Sequence, residues 1–306
     1  MLNPFKSVEL IKAEVFASMP SKFRKRQRTA WSDPNRQGAE VDSFLEGPSF
    51  DRGGNLYFVD IPFGRVFRIT ARGDWELVTQ YDGWPNGLKF HRDGRIFIAD
   101  YRRGLVVLDP RSGKVETVLE TAYSEGFKGL NDLHFASNGD LYFTDQGQTG
   151  IADPTGRVFR LRADGALDRL AANVPSPNGI TLNGKNSQVY VAVTRSQQIW
   201  RLPLMADGQP SKTGVAIQLS GGHAGPDGIE MDAEDGLCVC HLGLGVWRFD
   251  ANGLPTHLVH ADGHRLMTNI AFGGPDRQTL YITDSMNGEI LTARLPVPGK
   301  LMYGLQ

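Results

Sequence analysis

Residues 135–145 read FASNGDLYFTD, a short polar turn followed by a run of apolar and aromatic residues. The same pattern occurs six times along the chain: FDRGGNLYFVD (50–60), FHRDGRIFIAD (90–100), FASNGDLYFTD (135–145), LNGKNSQVYVAV (182–193), MDAEDGLCVCH (231–241) and FGGPDRQTLYITD (272–284). A polar turn between two β-rich runs is typical of a β-hairpin. Repetition at a regular period indicates a fold that is built from similar units.

A third apolar run follows each hairpin, and a fourth follows most of them. RVFRIT (65–70) is an example of a third run, and WELVTQ (75–80) of a fourth. The sixth unit has no clear fourth run, but AEVFAS (13–18) near the N terminus matches one. Six units of four short strands predict an all-β fold, a single six-bladed β-propeller domain over residues 1–306. The N-terminal strand would complete the last blade, so that no sheet edge remains exposed.

The composition agrees with one large all-β domain and limits the classes of partner. The 306 residues are 40% hydrophobic and include 36 Gly and 17 Pro, and the net charge of −1 gives no general attraction to nucleic acid or anionic membranes. The apolar runs are too short to span a bilayer, and MLNPFKSVELIK lacks the apolar core of a signal peptide. We therefore expect a cytoplasmic protein without a nucleic-acid or membrane partner. Cys238 and Cys240 are expected to be reduced and packed within a sheet.

One oxygen-bearing side chain opens the first strand of every unit. These residues are Glu46, Asn86, Asn131, Asn178, Asp227 and Asn269, with spacings of 40, 45, 47, 49 and 42 residues. The first strand of a propeller blade lines the central channel, so the six side chains should converge near one end of it. Turn chemistry favours Asn and Asp between strands and explains some of these residues, but not two carboxylates at equivalent positions of different blades.

A ring of carboxylate and amide oxygens in a narrow channel needs a compensating positive charge. Ligation by oxygen alone favours a hard divalent cation, with Ca²⁺ expected first and Mg²⁺, Mn²⁺ or Zn²⁺ as the other candidates. The sequence therefore predicts one metal ion in the channel.

The loops after the second strands should lie at the same mouth of the channel as the ring. They supply the candidates for substrate contact, namely Asn131 of the ring together with Tyr101, Arg102, Gln146, Arg195 and His241. The connection at residues 19–45 is long and contains KFRKRQR (22–28), with five basic side chains, and Trp31. We expect this connection to form a lid or a wall over the mouth.

Four motifs, taken in order, give the chain a family resemblance. EGPSF in the first blade, GLNDLHF in the third, SPNGI in the fourth and GPDGIEMD in the fifth resemble the SMP-30/gluconolactonase/luciferin-regenerating enzyme (LRE)-like family. The resemblance covers essentially the whole chain after residue 40. It departs from the sugar-lactonase branch at Gly129, where that branch often has an Arg two residues before the third-blade Asn.

The resemblance implies a six-bladed propeller with one catalytic divalent cation in the channel. Carried over by motif, the metal ligands would be Glu46, Asn178 and Asp227, with Asn131 in contact with the metal or the substrate. Family members are mostly lactonases, so the expected reaction is hydrolysis of a small lactone, a sugar lactone or another, to the hydroxy acid. The catalytic residues would be Asp227, as the group that activates water or attacks directly, and Glu46, mainly as a ligand.

Two other functions stay open at this level. A related propeller group hydrolyses organophosphofluoridates, so a phosphotriesterase-type reaction on the same metal site is the first alternative. The second is a non-enzymatic propeller that binds a ligand around a structural calcium ion. Fold alone does not separate these functions.

Overall fold

The computed structural model describes residues 7–306. Residues 1–6 lie outside the described residues. They begin MLNPFKSVELIK, the stretch from which the absence of a signal peptide is expected. Six sheets follow one another along the chain, antiparallel except for one added N-terminal strand, and form the six blades of a β-propeller, which confirms the predicted fold. None of the helices within 7–306 is long and apolar enough to cross a membrane.

The strands are named in chain order. The N-terminal strands are β1 (Glu9–Lys12) and β2 (Glu14–Ser18). Blade 1 contains β3 (Leu45–Phe50), β4 (Leu56–Asp60), β5 (Arg65–Ile69) and β6 (Trp75–Gln80), and blade 2 contains β7 (Pro85–Phe90), β8 (Ile96–Asp100), β9 (Gly104–Leu108) and β10 (Val115–Leu119). The small hairpin of β11 (Thr121–Ala122) and β12 (Glu125–Gly126) precedes blade 3, which contains β13 (Leu130–Phe135), β14 (Leu141–Asp145), β15 (Gly156–Leu161) and β16 (Leu167–Val174).

The remaining blades repeat this order. Blade 4 contains β17 (Pro177–Leu182), β18 (Gln188–Val193), β19 (Gln198–Pro203) and β20 (Gly214–Gln218). Blade 5 contains β21 (Pro226–Met231), β22 (Leu237–His241), β23 (Gly245–Phe249) and β24 (Pro255–His260), and blade 6 contains β25 (Met267–Gly273), β26 (Thr279–Asp284) and β27 (Glu289–Arg294). The helices are α1 (Ser32–Arg36) and the 3-10 turns Ser21–Phe23, Ile61–Phe63, Thr194–Ser196 and Tyr303–Leu305.

Local sequence explains the hairpins that begin each blade. In blade 1, the Asp51 carboxylate accepts a hydrogen bond from the backbone N–H of Asn55 at 2.8 Å, and Gly54 adopts a positive φ of 77°. Gly94 and Gly139 take the same left-handed conformation in blades 2 and 3. Glycine reaches this region without a steric penalty, so each polar turn reverses the chain between two apolar runs.

The hydrophobic core is divided among the interfaces between blades. Six buried clusters of apolar side chains are present in the described chain, and each joins one blade to the next. Cys238 and Cys240 are buried in the cluster between blades 5 and 6, unpaired, as the sequence predicts. The core therefore holds the blades together around a channel that is left for polar side chains.

The N terminus closes the ring as predicted and also does more. Strand β2 pairs antiparallel with β27 and completes blade 6. Strand β1, which was not predicted separately, pairs parallel with β24 and adds a fifth strand to blade 5. The N-terminal segment thus joins the last two blades.

The C-terminal tail covers the end of the channel opposite to the strand heads. The tail bridges blade 5 between Gly299 and Asp232, and the Lys300 Nζ donates to the carbonyl oxygen of Leu182 in blade 4 at 2.6 Å. Gly304 packs on the backbone of Phe90 in blade 2, where a Cβ would lie 2.7 Å from the Phe90 carbonyl oxygen. Access to the channel is consequently from the face on which the first strands begin.

Candidate active site

The six strand heads point into the channel because each first strand contains a β-bulge. The register between the first and second strand shifts in every blade, for example between Glu46 and Ser49 in blade 1 and between Pro226 and Ile229 in blade 5. A bulge leaves a residue out of the ladder and redirects its side chain. Five of the six heads are buried, namely Glu46, Asn131, Asn178, Asp227 and Asn269, while Asn86 is half-buried.

Glu46 is held by its neighbours in blade 6 and by its own turn. Its Oε2 accepts hydrogen bonds from the Asn269 Nδ2 at 2.9 Å and from the Gly47 N–H at 3.0 Å. Asn269 Oδ1 in turn accepts the backbone N–H of Ile270 at 2.8 Å, so both amide atoms are engaged. Burial raises the pKa of Glu46 from 4.5 to about 7, against the opposing effect of these hydrogen bonds. Asn269 therefore orients Glu46 and has no amide atom free for a ligand.

Asp227 lies close enough to Glu46 for the two carboxylates to influence each other. Burial and then the charge of Glu46 raise the pKa of Asp227 well above its ordinary value of 3.8. A hydrogen bond from the Asn178 side chain and the positive charge of Arg195 act in the opposite direction. The structure thus brings together Glu46, Asn178 and Asp227, the residues expected to ligate the metal.

Asn131 is oriented by a residue from the channel mouth. Its Nδ2 donates to the Gln146 Oε1 at 2.8 Å, and the Gln146 Nε2 donates to the Ser176 hydroxyl at 2.9 Å. This chain fixes which way the Asn131 amide faces, and its Oδ1 is left without a hydrogen bond to any described residue. Gln146, for which substrate contact stays a prediction, thus positions Asn131.

A second set of charged side chains fills the channel beyond the ring. Lys89 Nζ lies 3.1 Å from the Glu230 Oε2, and both side chains are buried. Asp132 is buried beside them, and burial raises its pKa to about 6 although the charge of Lys89 opposes this shift. The Lys300 Nζ contacts the His134 Nε2 at 3.1 Å from the C-terminal tail. This set was not predicted from the sequence, although four of its members follow a strand head closely: Lys89, His134 and Glu230 by three residues and Asp132 by one.

The charges in the channel are unbalanced. There are four buried carboxyl groups, those of Glu46, Asp132, Asp227 and Glu230. There are two ammonium groups, those of Lys89 and Lys300, and several of these charges shift one another's pKa values. With every group ionised, two negative charges remain uncompensated, which is costly in a buried site. The ring therefore fits a divalent cation in charge and in its oxygen donors.

The donor set is nevertheless sparse in charged ligands. Among residues 7–306, no three acidic, His or Cys side chains converge on one point. A cation at the ring would thus have to be held by the two carboxylates together with amide oxygens, of which Asn178 and Asn131 are placed to contribute.

Tyr101 and Arg102 occupy different parts of the mouth. The Tyr101 hydroxyl accepts a hydrogen bond from the Gln148 Nε2 at 3.2 Å, and its ring covers Gly129 so closely that a Cβ there would lie 2.4 Å from it. Gly129 also has a φ of 145°. Tyr101 thus takes the space that a larger residue at position 129 would need. Arg102 is turned outward, where its Nη1 lies 2.6 Å from the exposed Asp82.

His241 stands at a position that four other blades give to aspartate. Each of these aspartates ends a second strand, is fully buried and accepts a backbone N–H from the loop that precedes its blade: Asp60, Asp100, Asp145 and Asp284. His241 similarly contacts the Gly221 carbonyl oxygen through Nε2 at 3.1 Å, and burial lowers its pKa. The structure therefore gives His241 a role in holding a loop. The aspartates end the repeated units themselves, which is the signal by which sequence could have identified them.

The 19–45 segment and the loop after the second strand of blade 6 line a cavity of about 630 Å³ at the mouth. Its walls include Arg36, Ser43 and Ser285. The Ser285 hydroxyl is hydrogen-bonded to the Thr268 hydroxyl at 2.6 Å, and Thr268 hydrogen-bonds to the Glu46 carboxylate. A second cavity of about 510 Å³ lies at the opposite face, between the turns of blades 1 and 6. The first cavity is the one on the face where the first strands begin, and its Ser285 wall is hydrogen-bonded through Thr268 to Glu46.

Residues 44–286 match the family described as the SMP-30/gluconolactonase/LRE-like region. The chain is 31% identical over 273 residues to a gluconolactonase of Zymomonas mobilis, covering 79% of this chain and 76% of the relative. It is 27% identical over 272 residues to the lactonase drp35 of Staphylococcus aureus, covering 82% and 80%. The structure of regucalcin, a calcium-binding protein from Agrobacterium tumefaciens, superposes with a TM-score of 0.76 at 21% identity over 98% of this chain and all of that one (100%). The match across most of the chain shows that this protein belongs to the SMP-30/gluconolactonase/LRE-like family.

Proposed function

We propose that this protein is a metal-dependent lactonase that opens a small lactone to its hydroxy acid. The observation that carries the proposal is the pair of buried carboxylates, Glu46 and Asp227, which meet in a channel with two uncompensated negative charges. Relatives named lactonase and gluconolactonase support the same reaction.

Glu46, Asp227, Asn178 and Asn131 would hold the cation, with Ca²⁺ the first candidate because every donor is oxygen. A divalent cation at this ring would supply Lewis-acid polarisation of a carbonyl oxygen. The charged side chains deeper in the channel support cation binding at the ring. Lys89 neutralises Glu230, so the negative charge is concentrated on the ring.

Asp227 would act as the general base of the reaction. Its carboxylate takes a proton from water while the water oxygen bonds to the lactone carbonyl carbon. The ester C–O bond of the ring then breaks, and the ring oxygen leaves as an alcohol after it receives the proton from Asp227. Burial and the adjacent Glu46 raise the pKa of Asp227 in the metal-free protein, and a bound cation would favour its ionised form, the form that accepts a proton.

We further infer that residues 19–45 act as a wall or lid above the ring. Trp31 is buried in the apolar cluster between blades 1 and 2, and this burial anchors the segment to the propeller. Asn35 accepts a hydrogen bond from Gln148 of blade 3 at 3.3 Å, so the segment reaches across the mouth. Full hydrogen exchange throughout residues 19–45, with and without ligand, would contradict this assignment.

The lactonase proposal is tested with protein stripped by EDTA and assayed by a pH indicator against sugar, aliphatic and aromatic lactones. Each divalent cation is then added back separately. We expect acid release from at least one lactone that is lost on stripping and restored by a cation. Hydrolysis of a phosphotriester alone would favour the phosphotriesterase alternative. Failure to hydrolyse either class by folded, metal-loaded protein would leave only a binding role.

A further inference from the structure

Arg36 is the only unpaired arginine among the described residues of the 19–45 segment. The other three pair with acidic side chains of the same segment: Arg24 with Asp42 at 2.9 Å, Arg26 with Glu40 at 3.8 Å and Arg28 with Asp33 at 2.6 Å. Arg36 forms no hydrogen bond or ion pair with any described residue, and its guanidinium lies 5.3 Å from the centre of the Phe44 ring. The basic character of the segment is thus neutralised internally everywhere except at Arg36 and the lysines.

The environment of Arg36 disfavours an uncompensated charge. The side chain is half-buried in the wall of the 630 Å³ cavity, and burial lowers its pKa without any opposing contribution from a carboxylate. A guanidinium remains protonated even so, because its ordinary pKa is far above neutrality. A partly desolvated cation without a partner is a place where a bound anion gains a strong, charge-assisted hydrogen bond.

The position of Arg36 relates it to the ring. The cavity that it lines is bounded on one side by Ser285 of blade 6, which is linked through Thr268 to the Glu46 carboxylate. Asn35, the neighbour of Arg36, lines the same cavity and contacts Gln148 of blade 3. The cavity therefore lies at the mouth of the channel, and Ser285 and Thr268 stand between it and Glu46. A ligand whose reacting carbonyl sits at the ring can therefore extend toward Arg36.

We propose that Arg36 binds a carboxylate substituent of the substrate, so that the preferred substrates are lactones of dicarboxylic sugar acids rather than neutral sugar lactones. This inference rests on the lactonase function proposed above and names its substrate class. The planar fork of a guanidinium matches a carboxylate in two parallel hydrogen bonds. One free guanidinium also balances the single charge of a carboxylate, whereas a phosphate monoester carries up to two.

The test compares two lactones of the same ring size, D-glucaro-1,4-lactone with a free carboxylate and D-glucono-1,4-lactone without one. The variant Arg36→Met keeps the apolar stem, and Arg26→Met is the matched control, because Arg26 lines the same cavity but is paired with Glu40. We expect Arg36→Met to lower kcat/KM for the acidic lactone about 10- to 100-fold, mainly through KM, as for loss of a hydrogen bond to a charged group. The neutral lactone should be unaffected, the control should change neither, and Arg36→Lys should restore part of the loss.

Equal effects of Arg36→Met on both lactones would overturn the proposal and leave the lactonase function in place. If neither these two lactones nor any other of the panel above is hydrolysed, the lactonase function fails, and calorimetric binding of D-glucarate against D-gluconate decides the role of Arg36 separately. Tighter binding of glucarate that is lost in Arg36→Met would uphold the anion site, and equal binding would refute it. A loss confined to 6-phosphogluconolactone would overturn the assignment of a carboxylate.

Discussion

Replacing Glu46 by Gln should stabilise the metal-free protein at neutral and alkaline pH. Glu46 is buried in the ring beside Asp227, and burial raises its pKa from 4.5 to about 7. A carboxyl group whose pKa is raised on folding binds more protons in the folded than in the unfolded state between these two values. The free energy of unfolding therefore falls as the pH rises from about 4.5 to 7, and the loss persists above pH 7. Gln has the same shape as Glu and carries no charge. Its side-chain oxygen can still accept the hydrogen bond from Asn269.

The size of this effect follows from the shift in pKa. A rise from 4.5 to about 7 corresponds to roughly 3 kcal/mol at about 1.4 kcal/mol per pKa unit. About 2.5 kcal/mol of this should appear between pH 5 and pH 8. The charge of Glu46 also raises the pKa of Asp227, so its removal reduces the pH dependence contributed by Asp227 in the same direction.

Urea unfolding in EDTA at pH 5 and pH 8 measures the effect. The difference in unfolding free energy between Glu46→Gln and wild type should grow by about 2.5 kcal/mol between the two pH values. Glu116→Gln is the control, since Glu116 is 63% exposed and should give no such change. Wild-type protein whose stability in EDTA rises with pH as steeply as that of the variant would refute the reasoning. Added Ca²⁺ should stabilise wild type more than Glu46→Gln, because the variant lacks one ligand charge.

Three further predictions concern the ring and the channel below it. Asp227→Asn should abolish turnover while the protein remains folded, as judged by circular dichroism and thermal unfolding; a folded and fully active variant would remove Asp227 from the mechanism. Asn269→Ala should weaken Ca²⁺ binding about 10-fold or more, measured by calorimetry, because it removes the hydrogen bond that orients Glu46. Lys89→Met should cost about 3 to 5 kcal/mol in urea unfolding because it leaves Glu230 buried without its cation, and adding Glu230→Gln should recover most of that loss.

Much of the fold and ring was predictable because both are written in the repeat itself. Six copies of a turn and an apolar run fixed the blade number, and the head of each first strand recurs at the blade period. The match of AEVFAS with a missing fourth run correctly placed β2 in blade 6. These inferences depend only on local sequence and on the closure of the ring.

Features that depend on tertiary geometry were not predictable in the same way. Strand β1 has only four residues, three of them exposed, and nothing in ELIK signals a parallel partner in blade 5. Asn269 carries the same type of side chain as Asn131, yet one orients Glu46 while the other keeps an amide oxygen free. Arg102 lies at a suitable place in the chain but turns to Asp82, since the direction of a loop side chain is set by its neighbours.

The ring and the mouth of this propeller are built in different ways, and this difference bears on how its specificity arises. The ring side chains are set by β-bulges within paired strands, so their positions depend on the whole sheet and tolerate little change. The mouth is built from loops and from the 19–45 segment, which can exchange residues without disturbing the ring. Tyr101 covers Gly129, the position at which the family resemblance leads us to expect an arginine. The unpaired guanidinium of Arg36 lies in the 19–45 segment, next to Asn35, which contacts the same Gln148 side chain as Tyr101 does. A positive charge in this segment would act on a substituent of the substrate without altering the proposed ligands Glu46 and Asp227. Specificity in this protein should therefore respond to substitutions in the 19–45 segment that leave cation binding intact.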